Sequence, residues 1–415
     1  MGKLSVPRPS LEHLHRLTDD TGLFQHAKFT IPLRSEGYTT DDNARALIAA
    51  TKHYALYHEQ ETLRLIDRYL AFVLHACNDD GTVKNFMNFD RKWQPAEPVS
   101  DAMGRVIWAF GAVLAQPPSE IYVPIVQERI DIAMPLIKKQ YPRGMAYSIL
   151  GLAGYLKQFP NAENVKSCMA TTADSIVSRF EENQKAEDRR QKTENRKQET
   201  RLRCASPRQA GDRKQICCPP EYWLWFENIL TYDNAMLPCA LFTAGISLGN
   251  KKYIELAKKI CDFVLTTIFT AEHAETAEKK GRMGQTSPKE SGGVNPTLQN
   301  IAVKNGHFSF IGCNGWFPRR GPKAQFDQQP IEAAGTILML DATYKATKNK
   351  KYLMLRQKAF NWFLGENDTG IRLYDSKSKG CGDGLGAEGV SLNQGAESTI
   401  SFLLGLLTML EGHNS

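Results

Sequence analysis

Two kinds of helical segment alternate along this chain, and that alternation limits its fold more than any other feature. One kind is apolar on nearly every side: "DDNARALIAATKHYAL", "SDAMGRVIWAFGAVLA", "RGMAYSILGLAGYL", "YDNAMLPCALFTAGISL", "QPIEAAGTILMLDATY" and "NQGAESTISFLLGLLTML". The other is amphipathic, over residues 60–77, 121–139, 162–180, 251–269 and 350–364. A helix without a polar face must be enclosed by protein, whereas an amphipathic one lies at a surface. Six enclosed segments with amphipathic ones between them therefore describe an inner ring of helices inside an outer ring. The short "SLEHLHRL" supplies the sixth outer helix. Strand alternation appears in no convincing run, so the fold class is all-α: a six-hairpin (α/α)6 toroid in a single domain, 1–415. An α-solenoid also alternates helices, but its repeats have a fixed short period. Here the acids at the helix heads (Asp42, Asp101, Asp233, Glu332, Glu397) are irregularly spaced, and the linkers are long and aromatic.

Two stretches fall outside the ring, and the charge balance turns on one of them. The net charge is +7, and between Glu181 and Ile216 eleven Lys and Arg face seven Asp and Glu. The rest of the chain is nearly neutral and offers no electrostatic case for a nucleic-acid partner. Residues 183–219 and 271–300 are too polar to offset the cost of ordering, and read as disordered or loosely helical insertions in hairpin connections. Nine cysteines without a disulfide framework favour a reducing compartment. Cys204, Cys217 and Cys218 match no zinc spacing, and nothing else calls for a metal or cofactor. No apolar leader and no membrane-spanning run appears, so a cytoplasmic protein with no membrane partner is expected.

The inner helices begin alike, with a capping residue followed by carboxylates. Thr40 precedes Asp41 and Asp42, Ser100 precedes Asp101, "TYDN" supplies Asp233, Pro330 leads to Glu332, and Asn393 leads to Glu397. In a toroid these helix starts converge on one mouth. Each acid alone is explained by the helix dipole, and Asp41 with Arg45 and Asp101 with Arg105 are i,i+4 pairs. A whole set on otherwise apolar helices must either be paired and desolvated or line a wet pocket. Asp41, nearest the cap, is expected to stabilise its helix and Asp42 to face the pocket.

The loops feeding the mouth carry what a sugar site uses: Asn88, Asp90, Arg91 and Trp93; Trp223, Trp225 and Glu227; Trp316, Arg319 and Arg320. Aromatic faces stack on sugar C–H patches while Arg, Asn and Asp bind hydroxyls. The glycine-rich 380–389 loop lacks the context of a phosphate loop and is expected to bring Asp383 and Glu388 inward. "DDNAR" lacks the final aspartate of DDxxD, which argues against prenyl diphosphate chemistry.

The stretches "LTDDTGLFQHA", "GYTTDDNARALI", "DGTVKNFMNFDRKW", "SDAMGRVIWAFG", "GWFPRRG", "FDQQPIEAAG" and "NQGAESTISFLLGLL" resemble the six-hairpin glycosidase-like superfamily. In particular they resemble bacterial TTDDNAR-type proteins, loosely labelled glycosyltransferases, that accompany mannoside-processing enzymes. That resemblance implies a carbohydrate-active protein taking an oligosaccharide or small sugar, with a glycoside hydrolase as the leading expectation. Asp42 and Asp101 would form one carboxylate set, with Asp233, Glu332 and Glu388 as candidates for the opposing partner. Asp41, Arg45, Asp90, Arg91, Trp93, Arg105, His307, Trp316, Arg319 and Gln394 would bind substrate. Epimerases on this toroid lean on histidines, which makes His26 and His307 the alternative centre; a non-catalytic saccharide-binding or scaffolding protein is the third reading.

Overall fold

The computed structural model describes residues 6–95, 101–204, 223–271 and 306–414. Twelve α-helices occur among them. They are α1 (Glu12–Leu17), α2 (Thr40–Tyr57), α3 (Gln60–Ala76), α4 (Ala102–Ala115), α5 (Val123–Ala133) and α6 (Pro142–Gln158), followed by α7 (Glu163–Cys204), α8 (Met236–Leu248), α9 (Lys251–Ile268), α10 (Pro330–Thr347), α11 (Lys351–Asn361) and α12 (Ala396–Asn414). The even-numbered helices pack each on the next, and α12 packs back on α2, so they form a closed ring. Each odd-numbered helix covers an even-numbered neighbour from outside, with α1 against α12. This is the expected (α/α)6 toroid.

Burial explains the two rings. Twelve of the 14 residues of α4 are buried, leaving no face for solvent. In α3 the buried residues follow a single stripe from Thr62 to Ala76, as on a surface helix. Glycine sets the closest contact of the inner ring. A Cβ on Gly111 would lie 2.1 Å from the Gly151 carbonyl oxygen, and one on Gly104 2.3 Å from that of Gly144. The α4 and α6 backbones therefore touch where only hydrogen can stand between them.

Short antiparallel pairs brace the loops at the inner-helix N-termini. Residues 27–28 pair with 31–32, 38–39 with 86–87, 229–230 with 317–318, 269–271 with 306–308, and 385–386 with 389–390. At 42 residues, α7 is far longer than any ring helix and runs through the first part of the 183–219 insertion. Glu187 on this helix is buried 3.0 Å from Arg319, which fastens the helix to the loop before α10. Residues 205–219 and 272–300 of the two insertions lie outside the described residues.

Candidate active site at the mouth of the ring

At the head of α2, Thr39 is the N-cap: its hydroxyl oxygen accepts from the Asp42 backbone N–H at 3.1 Å. Asp42 occupies the third helical position, whose side chain turns back toward the cap, so its Oδ2 accepts from the Thr39 hydroxyl at 2.6 Å. Its Oδ1 accepts from Arg45 at 2.8 Å. Asp42 is therefore engaged at the cap and buried, the reverse of the expected roles, and Asp41 is the more exposed of the two. Asp41 Oδ1 lies 2.5 Å from Arg105 Nε and its Oδ2 3.3 Å from Arg45, with 27 % of the side chain exposed. Arg45 also donates to Glu397 at 3.0 Å, whose side chain is 40 % exposed. Burial pushes the Asp42 carboxyl up to about 6, against the pull of Arg45.

Arg105 carries the chain of contacts across α4. It donates to the Tyr147 hydroxyl at 2.9 Å and lies 3.7 Å from Asp233 Oδ2, while the Tyr147 O–H donates to that same oxygen at 2.5 Å. Asp233, just before α8, has φ 48°, a left-handed conformation that aspartate tolerates better than most residues. That conformation aims its backbone N–H at a Glu332 carboxylate oxygen, to which it donates. The absence of a side chain at Gly335 is needed here, since a Cβ there would lie 2.4 Å from Asp233 Oδ1. Burial, then the charge of Asp233, pushes the Glu332 carboxyl up to about 8. Burial also raises Asp233, opposed by Arg105 and Tyr147.

Arg143 holds the segment before α8. It donates to the Tyr232 carbonyl at 2.6 Å, to Thr231 at 2.9 Å and to Asn234 at 3.3 Å. Tyr232 in turn donates its hydroxyl to Asp101, which is itself the N-cap residue of α4; Ser100 lies outside the described residues. The series Glu397, Arg45, Asp41, Arg105, Tyr147, Asp233, Glu332 thus links residues from α12, α2, α4 and α6, the lead-in to α8, and α10. Arg143 and Tyr147 had no part in the sequence-based set. Their signal was two polar residues four apart in an apolar helix, which places them on one face.

Other expected site residues stand apart from this series. Glu388 is exposed at the turn of the 385–390 hairpin, and Asp383 instead caps α12 by accepting from the Gly395 N–H and the Ser398 hydroxyl, each at 2.7 Å. Asp90 pairs with Lys92 at 2.9 Å and Arg91 with Asp20 at 2.8 Å, all exposed. Trp93 packs on Phe72 and His75 with Lys84 over its ring. His307 is 3.2 Å from Asp368, and His26 is exposed. Arg319 is buried with Glu187 and lies over Trp223. Gln394 is buried, its Oε1 accepting from Ser378. Trp316 is half-buried with φ 55°. Among the described residues no three His, Cys, Asp or Glu are grouped as metal ligands, and no helix is long and apolar enough to cross a membrane.

No family model and no curated protein matches this chain. Solved structures do. A sugar epimerase from a ruminal bacterium is 11 % identical with a TM-score of 0.58, over 95 % of this chain and 94 % of that one. A cellobiose 2-epimerase from Spirochaeta thermophila is 8 % identical with a TM-score of 0.58, over 97 % and 94 %. A family 76 α-mannanase of Bacteroides thetaiotaomicron is 10 % identical with a TM-score of 0.57, over 97 % and 94 %. What such distant likeness shows is the fold alone, the (α/α)6 toroid that the helix packing of this chain also forms.

Proposed function

We propose that this protein is a glycoside hydrolase that cleaves an oligosaccharide at the mouth of the ring, with Glu332 as its proton donor. The observation that carries this reading is the raised Glu332 carboxyl, which keeps its proton to about pH 8, in the same contact series as Asp41. Glycoside cleavage needs one carboxyl group protonated to release the leaving oxygen and a second ionised to attack or to activate water. Asp41 is the second carboxyl group in this scheme: two guanidiniums fix its orientation and part of its side chain is accessible. Arg105 and Tyr147 hold Asp41 and Asp233 in place, and Asp101 accepts from the Tyr232 hydroxyl at the head of α4.

A second reading is an epimerase, favoured by the two epimerases that share the toroid from end to end. Glu332 and Asp233 would then move the proton at a sugar carbon, because no histidine takes part in the contact series among the described residues.

The test incubates wild type and Glu332→Gln with aryl mannosides and glucosides, mannotriose and cellotriose, in D2O-containing buffer. Hydrolysis predicts reducing-sugar release that falls as pH rises through about 8, where Glu332 loses its proton, and a loss of at least about a hundredfold in folded Glu332→Gln. Deuterium at a sugar carbon with no bond cleaved would replace the hydrolase by the epimerase. Saccharides that raise the melting temperature without being changed would leave a binding protein.

A further inference from the structure

Phe29 is a bulky aromatic residue in a place that ordinary folding does not explain. It sits at the turn of the 27–32 hairpin with φ 56°, and 51 % of it is exposed. A left-handed backbone is unfavourable for such a side chain, and strain of this kind clusters at functional sites. The position is nonetheless held firmly. The Phe29 N–H donates to Asn393 Oδ1 at 2.9 Å, its carbonyl accepts from the Gln394 N–H at 2.9 Å, and the nearby Gln25 carbonyl accepts from the Ala396 N–H at 3.1 Å. These bonds stitch the hairpin to the head of α12, whose first turn carries Glu397, the accessible end of the carboxylate series.

We propose that Phe29 is a stacking platform for a pyranose ring of a substrate at least two sugars long. The inference rests on the saccharide-processing role proposed above. An exposed aromatic ring can stack on sugar C–H groups, and the α12 segment bonded to Phe29 carries two polar groups able to meet hydroxyls. Glu397 is a half-exposed acceptor, and the Asn393 amide, its oxygen engaged by Phe29, has its NH2 left to donate. Ile31, Leu392 and Phe89 are also exposed, which gives the rim further apolar contact area. A flat protein partner on this rim would have to bury Glu397 and the Arg34 guanidinium that lies over Phe89, whereas sugar hydroxyls can pair with both.

The test measures KM and binding of mannotriose and cellotriose for wild type, Phe29→Gly and Phe29→Tyr, with melting temperature and sedimentation on each. Phe29→Gly is expected to weaken the trisaccharide about fivefold, with the larger effect in KM or Kd. Its melting temperature should be no lower, because glycine adopts φ above zero freely. Phe29→Tyr should keep the affinity. Unchanged trisaccharide binding in Phe29→Gly, alongside lost turnover in Glu332→Gln, overturns the platform and leaves the active site standing. A wild-type dimer that Phe29→Gly converts to monomer overturns it in favour of a second copy of the chain. Wild type that neither binds nor changes any saccharide overturns both proposals.

Discussion

Tyr147 is the residue on which the two halves of the charge series meet, since its hydroxyl both accepts from Arg105 and donates to Asp233. Tyr147→Phe keeps the ring under the Arg105 guanidinium and removes only that oxygen. Asp233 then loses a buried donor, and urea unfolding should show a loss of about 1–3 kcal/mol. If the hydrolase reading holds, kcat falls with it while KM moves less. Little of this was legible in the sequence. A tyrosine inside "RGMAYSILG" reads as core, and nothing local announces that it faces Asp233, 86 residues away. The division of labour between Asp41 and Asp42 was ambiguous for a narrower reason. Thr39 and Thr40 are both acceptable caps, and the choice between them decides whether Asp42 or Asn43 stands at the third helical position. The pairing of Tyr38–Thr39 with Phe86–Met87 settles it for Thr39, and that pairing is tertiary.

Among the elements, α4 and α6 depend most on small residues. Gly111→Ala would gain up to about 1 kcal/mol of helix propensity and lose more, because a methyl group cannot fit 2.1 Å from the Gly151 carbonyl. The net expectation is a loss of about 1–3 kcal/mol in chemical denaturation, against a near-neutral effect for an exposed alanine substitution in α3. The ring itself was legible because burial writes directly onto composition: inner helices lack a polar face and outer ones have it. The start of α3 at Gln60 and of α9 at Lys251 agrees with the sequence pattern to within a residue. The continuation of α7 to Cys204 was not legible, since a helix polar on all sides leaves no hydrophobic period to detect. Glu388 misled because a glycine-rich loop specifies little about where its tip points.

For the molecule as a whole, the raised carboxyls make one contribution to the pH dependence of stability, opposed by His13, His15 and His53, whose imidazoles burial lowers. Folding lifts Glu332 from its ordinary 4.5 to about 8 and Asp42 from 3.8 to about 6, so between those limits the folded chain holds protons that the unfolded chain has released. Stability from these groups is therefore full below their unfolded values and falls as pH rises through the folded ones. The melting temperature of wild type relative to Glu332→Gln should decline from about pH 5 to pH 8.5. A difference between the two proteins that stays flat over this range would show that Glu332 is ionised when folded.

The ring is closed by partners far apart in the chain. Arg45 and Glu397 are 352 residues apart, and α12 must pack on α2 before they meet. At about 5–20 residues per second of synthesis, α2 waits on the order of half a minute for the helix that completes it. Until then the flank of α2 that α12 covers faces the solvent, which is the kind of apolar surface a chaperone holds. The contact series at the inner-helix heads thus cannot be complete before α12 has been made, however early the preceding hairpins form.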